Sequence, residues 1–261
     1  MEHIVDFSRY SIDQPNSAAW SNLVSRCRAD LAKAGMFNLP GFLRPDLAHL
    51  IATDLAPKFA TEAFRHERDH NIYFKNTVDD LPEDHPALQR LRTSNRTLCA
   101  DQLGENALIQ LYDWPPFIQF LAETLGKSAL FAMKDALARV NVMAYGNEEA
   151  LNWHFDRSEF TTTLLLQEPD AGGVFEYAQD LRTASDPNYE GVAKLISGSL
   201  PPKQVSLSSG TLSVFLGANT AHRVTPVMGS RARMIAVFSY FDRPGVVFSK
   251  SERLGFYGRE A

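Results

Sequence analysis

The sequence predicts an α+β fold in which helices of the first half pack outside an antiparallel sandwich or jelly-roll barrel formed by the second half. In the first half, apolar residues recur at helical spacing. From residue 138 onward, six short segments are rich in Val, Thr, Phe and Leu and are separated by Gly, Pro, Asn and Asp, which is typical of strands joined by turns. The 261 residues, 44% hydrophobic and 22% charged, suit a single domain over residues 1–261.

The first part, residues 1–136, is predicted to be mainly helical. A first helix spans residues 17–35, because Ser17 is a good N-cap and Gly35 a good helix end. A second helix starts at Pro45, where the missing N–H does no harm, and runs to about Ala56. The other elements predicted here are a strand at Met36–Leu39, a strand at Asn71–Phe74, a helix at Pro86–Leu103 and a helix at Pro116–Leu125.

The second part, residues 137–245, is predicted to form the β-barrel core, with residues 246–261 as a C-terminal tail. A connection over residues 179–203 contains a short helix at Glu190–Ile196 and is a candidate cover for the barrel mouth. The predicted strands are Ala138–Tyr145, Phe160–Gln167, Gly173–Tyr177, Gln204–Leu207, Thr211–Leu216 and Arg231–Phe241.

Composition and charge exclude several classes of protein. A net charge of −5 argues against nucleic acid or an anionic membrane as the main partner. No apolar run approaches the roughly 20 residues that span a bilayer, and the N-terminus lacks the pattern of a signal peptide. Cys27 and Cys99 share no metal-ligand spacing and are expected to be reduced. These features predict a cytoplasmic protein; its oligomeric state stays open.

A candidate metal site lies in the strand-rich half. His154 and Asp156 are two residues apart, so on an extended strand their side chains leave the same face. An isolated H-x-D pattern usually marks only a polar turn. However, only His154 and His222 among the seven histidines lie beyond residue 86. Two histidines and one carboxylate form the facial set of a non-heme Fe(II) oxygenase, which leaves coordination positions open for substrates.

Two arginines follow His222 at the start of a predicted strand. Arg231 and Arg233 share one face of that strand, and a buried arginine needs an anion. The planar guanidinium matches a carboxylate bidentately. Arg231 follows Gly229 and Ser230 in the turn and is the more solvated of the two, so Arg233 is the preferred anchor for an oxo-acid carboxylate. Both arginines would instead face solvent if they lay on the outside of the sheet.

These residues carry a resemblance to a known family. His154-x-Asp156, followed by the segment HRVTPVxGxRxR that starts at His222 and ends at Arg233, resembles the Fe(II)/2-oxoglutarate-dependent dioxygenases over residues 137–245. The segment WHFDRSEFTTTLLLQEP, which starts at Trp153, is similar to the subgroup that includes free-amino-acid (lysine-type) radical halogenases. Several members of that subgroup have glycine where this chain has Asp156, and the gap admits chloride to the iron. The resemblance therefore implies the hydroxylating branch.

The resemblance implies a double-stranded β-helix, the jelly-roll or cupin-like barrel, with Fe(II), 2-oxoglutarate and O2 as cofactors and co-substrates. It implies that His154, Asp156 and His222 bind the metal and that Arg233 holds 2-oxoglutarate. Asn141 and Thr163 occupy suitable places on neighbouring strands to bind the rest of 2-oxoglutarate, although either could equally be an ordinary sheet residue. The implied reaction is hydroxylation of an unactivated C–H bond of a small molecule, a free amino acid or a derivative.

The substrate contacts cannot be transferred residue by residue from the halogenases. Arg157, next to the carboxylate of the triad, suits an acidic group but could be a rim residue in water. Arg68 and His70 belong to a segment that could supply a lid and a carboxylate contact, or could form a surface loop. The alternatives for function are desaturation or cyclisation at the same iron centre, and a non-catalytic cupin-like metal-binding sensor domain.

Overall fold

The computed structural model describes residues 1–79 and 81–261. The helices are α1 (Ala18–Ala34), α2 (Pro45–Thr61), α3 (Ala100–Leu103), α4 (Ala107–Tyr112), α5 (Pro115–Thr124), α6 (Tyr189–Ile196) and α7 (Lys250–Tyr257), with a 3-10 turn at Pro86–Leu88. The strands are β1 (Met36–Leu39), β2 (Phe64–His70), β3 (Leu91–Leu98), β4 (Phe131–Ala132), β5 (Val140–Tyr145), β6 (Leu151–His154), β7 (Thr161–Gln167), β8 (Ala171–Gly172), β9 (Phe175–Ala178), β10 (Lys203–Val205), β11 (Leu212–Phe215), β12 (Ala221–Val224), β13 (Val227–Met228), β14 (Arg233–Phe238) and β15 (Tyr240–Phe241).

The strands form two large antiparallel sheets. The larger sheet has seven strands in the order β1-β11-β7-β14-β5-β3-β2, and the smaller has four in the order β10-β9-β12-β6. Two further pairs, β13 with β8 and β15 with β4, are two-stranded. Strands distant in sequence thus become neighbours; β6 pairs with β12, for example. The predicted combination of antiparallel strands with helices in the first half is confirmed.

The helices pack on one face of the seven-stranded sheet. Side chains at alternate positions of β5, β7 and β14 point to this face and belong to the main hydrophobic core, with α1, α2, α4 and α5 covering them. Full burial of each large apolar side chain contributes roughly 1.5–3 kcal/mol. The helices therefore occupy the outside of the sheet, as the sequence predicts. Examples from this core are Leu31, Leu55, Phe117, Phe120, Val142, Leu164, Ala236 and Phe238.

The opposite face of the seven-stranded sheet turns towards the four-stranded sheet. Residues paired across neighbouring strands point the same way, so Arg233 of β14 lies on one face with Tyr145 of β5. The rings of Phe215 on β11 and Phe175 on β9 are 5.2 Å apart and join the two sheets. The strands therefore carry one face for helix packing and a second, inner face between the sheets.

Two predicted elements of the first half are wrong. Asn71–Phe74 forms a turn after β2, not a strand, and Pro86–Leu103 is not one helix but a 3-10 turn, strand β3 and the short helix α3. In β3 the buried positions include Thr93, Asn95 and Thr97. Because the inner face of this strand is polar, the hydrophobic alternation that marks a half-buried strand is missing.

The end of one helix also differs from the prediction, and the packing of one connection is defined by the structure. Helix α2 continues through Pro57 to Thr61, because only one backbone hydrogen bond is lost at a proline and the packed face of the helix compensates. The connection that contains α6 packs on Trp153 of β6 and on Phe155, the residue after β6, at the outer face of the four-stranded sheet. The connection also contacts the turn after β2, because the Tyr73 hydroxyl donates to the Pro187 carbonyl at 2.7 Å. Within the described residues, no helix is both long enough and apolar enough to cross a bilayer.

Candidate metal centre

Three side chains from separate strands and loops meet between the sheets. The Nε2 atom of His154 lies 3.4 Å from Oδ1 of Asp156, and Nε2 of His222 lies 3.5 Å from the same oxygen. The two imidazole ring centres are 4.1 Å apart. Within residues 1–79 and 81–261, this is the one group of three or more His, Cys, Asp or Glu side chains whose ligand atoms are close enough to hold a metal ion.

The two histidines are brought together by the pairing of β6 with β12, in which His154 and His222 are direct cross-strand partners. Each ring donates its Nδ1–H to a backbone carbonyl two residues earlier in the chain: His154 to Asn152 at 2.8 Å and His222 to Thr220 at 2.9 Å. This fixes the tautomer and directs both Nε2 lone pairs at the same point. A hydrogen bond from the second ring nitrogen is the usual support of a metal-binding histidine.

Asp156 is held by its own set of contacts. Its backbone N–H donates to the carbonyl of Gly217 at 3.0 Å, and the Thr161 hydroxyl donates to Oδ2 at 2.5 Å. A Cβ on Gly217 would lie 2.1 Å from Oδ2, so only glycine fits there. Thr161 and Gly217 therefore hold one carboxylate oxygen and leave Oδ1 facing the two histidines.

The electrostatics of the cluster favour the protonation states that bind metals. Burial, together with the neighbouring His222, lowers the pKa of His154. Burial alone would raise the pKa of Asp156, but His222 and His154 outweigh it and hold that pKa well below its usual range. At neutral pH the site thus offers an ionised carboxylate beside a neutral imidazole.

The donor set fits a divalent iron ion. Two imidazole nitrogens and one carboxylate oxygen on one side of a metal form the facial triad of non-heme Fe(II) enzymes, with the other positions open. Ligand atoms about 2.1 Å from one ion and at right angles to each other are about 3 Å apart. The separations of 3.4 and 3.5 Å from Asp156 Oδ1 are close to that value.

The two arginines predicted as anchors lie in different surroundings. Arg233 is only 3% exposed, and its Nη1 atom is buried without a hydrogen-bond partner. Burial lowers the pKa of Arg233. Arg231 is half exposed and its Nε lies 3.5 Å from Asp170, so its charge already has a partner at the surface. Arg233 is therefore the arginine whose guanidinium fits a buried anion.

A cavity of about 220 Å³ borders Arg233 and is closed on one side by the Gly172–Gly173 turn. A Cβ on Gly173 would lie 3.1 Å from Arg233 Cδ and 2.9 Å from Pro169 Cγ, and Gly173 has a φ of +59°. Glycine at this position lets the turn approach the arginine closely. The orphaned Nη1 beside a cavity is the arrangement expected for a bound carboxylate.

Asn141 and Thr163 both lie on the inner face, opposite Val237 of β14 from either side. Asn141 is buried; its Nδ2 donates to the Leu137 carbonyl at 2.8 Å and its Oδ1 accepts from the Tyr257 hydroxyl at 2.9 Å. These contacts tie β5 to helix α7. Thr163 is buried, with 8% of its surface exposed. Both residues therefore lie on the same face as Arg233.

The three candidate substrate residues differ in whether their polar groups already have partners within the protein. Arg157 forms an ion pair of 2.6 Å with Glu252 of α7, so its charge is already matched within the protein. His70 uses both ring nitrogens, one with the Asn71 carbonyl and one with the Thr93 hydroxyl, and neither remains for a substrate. Arg68 is exposed, with its guanidinium carbon 5.1 Å from the ring centre of Phe74.

Several residues of the site are not found by sequence reasoning. Thr161 and Gly217 support Asp156, and Tyr145 stands beside Arg233. The same-face relation of Thr161 to Thr163, two residues apart, is the signal that could have identified Thr161. Phe74, whose ring lies 6.5 Å from that of His154, falls in a turn with no motif and gives no such signal.

Comparison with solved structures shows a shared fold. The chain is similar to a prolyl-4-hydroxylase from Pseudomonas putida, with a TM-score of 0.53 and 18% identity over 85% of this chain and 100% of that one. It is also similar to the non-heme alpha ketoglutarate dependent epimerase SnoN from nogalamycin biosynthesis (TM-score 0.58, 15% identity, 85% and 84% covered). A third neighbour is the carbocyclase SnoK of the same biosynthesis (TM-score 0.56, 14% identity, 90% and 92% covered).

Comparison at the level of sequence identifies the family. No curated protein matches the chain. The family model of Halogenase D, by contrast, matches residues 20–247, a range that includes the three side chains of the candidate metal centre and Arg233. The match extends over most of the chain, from the first helix to the end of the β14–β15 region. The chain therefore belongs to the Halogenase D family.

Proposed function

We propose that this protein is an Fe(II)- and 2-oxoglutarate-dependent oxygenase that hydroxylates an unactivated C–H bond of a small molecule, a free amino acid or a derivative of one. The observation that carries the proposal is the convergence of His154, Asp156 and His222, with ligand atoms within 4.8 Å of one another. The two antiparallel sheets around this point would form the two halves of a double-stranded β-helix. The fold shared with 2-oxoglutarate-dependent enzymes supports this assignment.

Each part of the site has a defined task in this proposal. His154, Asp156 and His222 would hold Fe(II), and Arg233 would hold the distal carboxylate of 2-oxoglutarate, with Asn141 and Thr163 on the same inner face. Bound Fe(II), with 2-oxoglutarate and O2, supplies the oxidation of a substrate C–H bond while 2-oxoglutarate is converted to succinate and CO2. Thr161 and Gly217 orient the Asp156 carboxylate, and the apolar contact between Phe175 and Phe215 excludes water beside His222.

Asp156 supports oxygenation over halogenation. In the halogenases that this sequence resembles, a halide occupies the place that glycine leaves free. Here the carboxylate fills that place, and the Thr161 hydroxyl holds its second oxygen. Membership of the Halogenase D family does not contradict this, because the reaction depends on the ligand set of the individual chain.

Arg68 supports a substrate with a carboxylate. Among the described residues, no acidic side chain lies within ion-pair distance of its guanidinium group, while Arg65 and Arg92 on the same sheet edge are paired with Glu67. The guanidinium carbon lies 5.1 Å from the ring centre of Phe74, which in turn lies 6.5 Å from that of His154, and such a group suits the carboxylate of an amino acid. A metal-binding sensor domain without turnover is the less favoured alternative, because it would not need the buried, unpartnered Nη1 of Arg233.

The proposal is tested with purified protein loaded anaerobically with Fe(II) and 2-oxoglutarate. A weak visible charge-transfer band should appear, and admission of oxygen with a panel of amino acids should give succinate with one member in large excess over the substrate-free rate. Asp156→Ala should lose succinate formation, because one of the three candidate metal ligands is removed. Absence of the band and of succinate with every candidate would favour the binding-domain alternative.

A further inference from the structure

Phe74 has an unusual backbone for its residue type. Its φ is 55°, in the left-handed region that bulky side chains rarely adopt, and the residue is 45% exposed. Such a conformation costs on the order of 1–2 kcal/mol and persists only where the surroundings impose it. With almost half of its surface exposed, Phe74 offsets only part of that cost through burial.

The conformation of Phe74 is imposed by Asn71. The Asn71 side chain is buried, its Oδ1 accepts from the backbone N–H groups of Tyr73 at 3.1 Å and Lys75 at 3.2 Å, and its Nδ2 donates to the Lys75 carbonyl at 2.5 Å. The Phe74 N–H donates to the Asn71 carbonyl at 3.1 Å. The turn is therefore closed on both sides of Phe74, and the ring projects from it.

The Phe74 ring lies in the immediate surroundings of the metal centre. It stacks on His70 with ring centres 4.3 Å apart and an angle of 17°, and it stands edge-on to His154 at 6.5 Å and 72°. The guanidinium carbon of Arg68 lies 5.1 Å from its centre. A ring that is 45% exposed thus has both a candidate metal ligand and Arg68 as neighbours, and no ion pair of Arg68 with an acidic residue is found within residues 1–79 and 81–261.

A chain of hydrogen bonds connects the turn to the strand that carries His154. The Asn152 N–H donates to the Thr93 hydroxyl at 3.0 Å, and that hydroxyl is 2.7 Å from Nε2 of His70. The Nδ1–H of His70 donates to the Asn71 carbonyl at 2.9 Å. Because every member of the chain is buried, the position of Phe74 relative to His154 is held firmly.

We propose that Phe74 is a specificity-determining residue that packs against an apolar chain of the substrate beside the metal centre. This proposal rests on the proposed function and adds the substrate class: an amino acid with an unbranched apolar side chain whose carboxylate reaches Arg68. An aromatic face can also attract a cation, but the guanidinium of Arg68, with its carbon 5.1 Å from the ring centre, already supplies a positive charge there and disfavours a second one. The exposed apolar surface of Phe74 is then covered only when the substrate is bound.

The test measures binding without turnover, on protein loaded with Zn(II) and 2-oxoglutarate. Calorimetric titration compares L-alanine, L-norvaline and L-norleucine, which share one head group and differ in the length of an apolar chain. In the wild type, affinity should rise by roughly two- to fourfold for each added methylene, the range expected for partial to full burial. In Phe74→Gly this dependence on chain length should disappear, and Phe74→Leu should retain part of it.

Thermal unfolding distinguishes a substrate contact from a structural role. Glycine adopts a positive φ without strain, so Phe74→Gly should keep its unfolding midpoint within about 2 °C of the wild type. Glu148→Gly is the matched control, because Glu148 also has a positive φ, of 66°, and is not part of the site; it should leave the chain-length dependence unchanged. An equal dependence in wild type and Phe74→Gly, or none in the wild type, would overturn the proposal, whether or not the iron-loaded protein forms succinate.

Discussion

Tyr145 stands directly opposite Arg233 on the neighbouring strand, with the guanidinium carbon 5.9 Å from the centre of the phenol ring. Burial raises the pKa of Tyr145 to about 12, so the phenol is neutral at physiological pH and supplies no counter-charge. Among the described residues, no carboxylate lies within ion-pair distance of Arg233, whereas Arg231 has Asp170. The buried charge of Arg233 is therefore balanced only when an anion binds.

Replacement of Arg233 should separate co-substrate affinity from folding stability. Arg233→Met should weaken 2-oxoglutarate binding by roughly 100-fold or more, because a charge-assisted bidentate contact is lost. Its free energy of unfolding should stay the same or rise, since an unpaired buried charge is replaced by an apolar side chain. Titration of the charge-transfer band with 2-oxoglutarate and urea unfolding measure the two effects. Arg231→Met is the control; if it were the variant that lost affinity, the assignment of the anchor would be reversed.

Gly173 is expected to affect the binding of 2-oxoglutarate by letting Arg233 take its position. Gly173→Ala should cost about 1–2 kcal/mol of stability because of the positive φ, and it should also weaken 2-oxoglutarate binding about tenfold, because the new Cβ displaces the arginine side chain. Gly198→Ala is a matched control: Gly198 has a φ of +80° and nothing within 4 Å of its added Cβ. It should lose similar stability and no affinity. Equal affinities for the two variants would remove Gly173 from the co-substrate site.

Replacement of Asp156 by glycine should change the ligands that reach the metal. Asp156→Gly should weaken metal binding by roughly 100-fold or more, given that even the loss of a supporting contact costs 10–100-fold. The space beside Thr161 and Gly217 should then admit chloride, so added chloride should alter the charge-transfer band of the variant and leave the wild-type band unchanged. We expect no efficient chlorination, because chlorination also requires that the substrate carbon lie away from the hydroxyl group that would otherwise be transferred to it. A chloride-dependent wild-type band would contradict the role of the carboxylate.

Asp135 should give the protein a measurable acid sensitivity outside the metal centre. Burial would raise its pKa, but hydrogen bonds from the Phe248 N–H, Arg253 and the N–H groups of Leu137 and Ala138 lower it. The ionised form therefore adds stability above the unfolded pKa near 4, and this is lost as pH falls through the lower folded pKa. Asp135→Asn should cost about 1–2 kcal/mol at pH 7, with the difference from wild type shrinking below pH 4. A constant difference across that range would show that the charge is not involved.

The three side chains that meet in the candidate metal centre could be selected from the sequence because two simple regularities identify them. Alternation along a strand places His154 and Asp156 on one side, and the scarcity of histidine in the second half leaves His222 as the partner. Parity puts Arg231 and Arg233 on one face without saying whether that face is inner or outer, and the distance from the turn favours Arg233; the structure shows that Arg233 is the buried one. These arguments need only the local geometry of a strand, which does not depend on how the strand packs in the folded protein.

The same reasoning fails between residues 61 and 103 for a physical reason. The inner face of β3 carries Thr93, Asn95 and Thr97 where a core strand would carry apolar residues, because this face borders the site and not the main core. The hydrophobic pattern is therefore weak in a strand that borders the candidate metal centre. The position of Phe74 depends on the buried Asn71 side chain and its contacts, which no periodicity encodes.

The carbonyl groups of Asn152 and Thr220 bear on the order in which this protein folds and binds its metal ion. Because hydrogen bonds within the chain to these carbonyls orient both imidazoles, the ring orientation does not depend on the ion alone. In a zinc finger the ion is needed for folding, but here we expect the chain to fold first and to bind the ion in a separate step. A chelator should strip the iron and leave a folded protein that recovers on reconstitution, with the ion adding stability only by mass action. Iron-starved cells would then accumulate an intact, refillable enzyme.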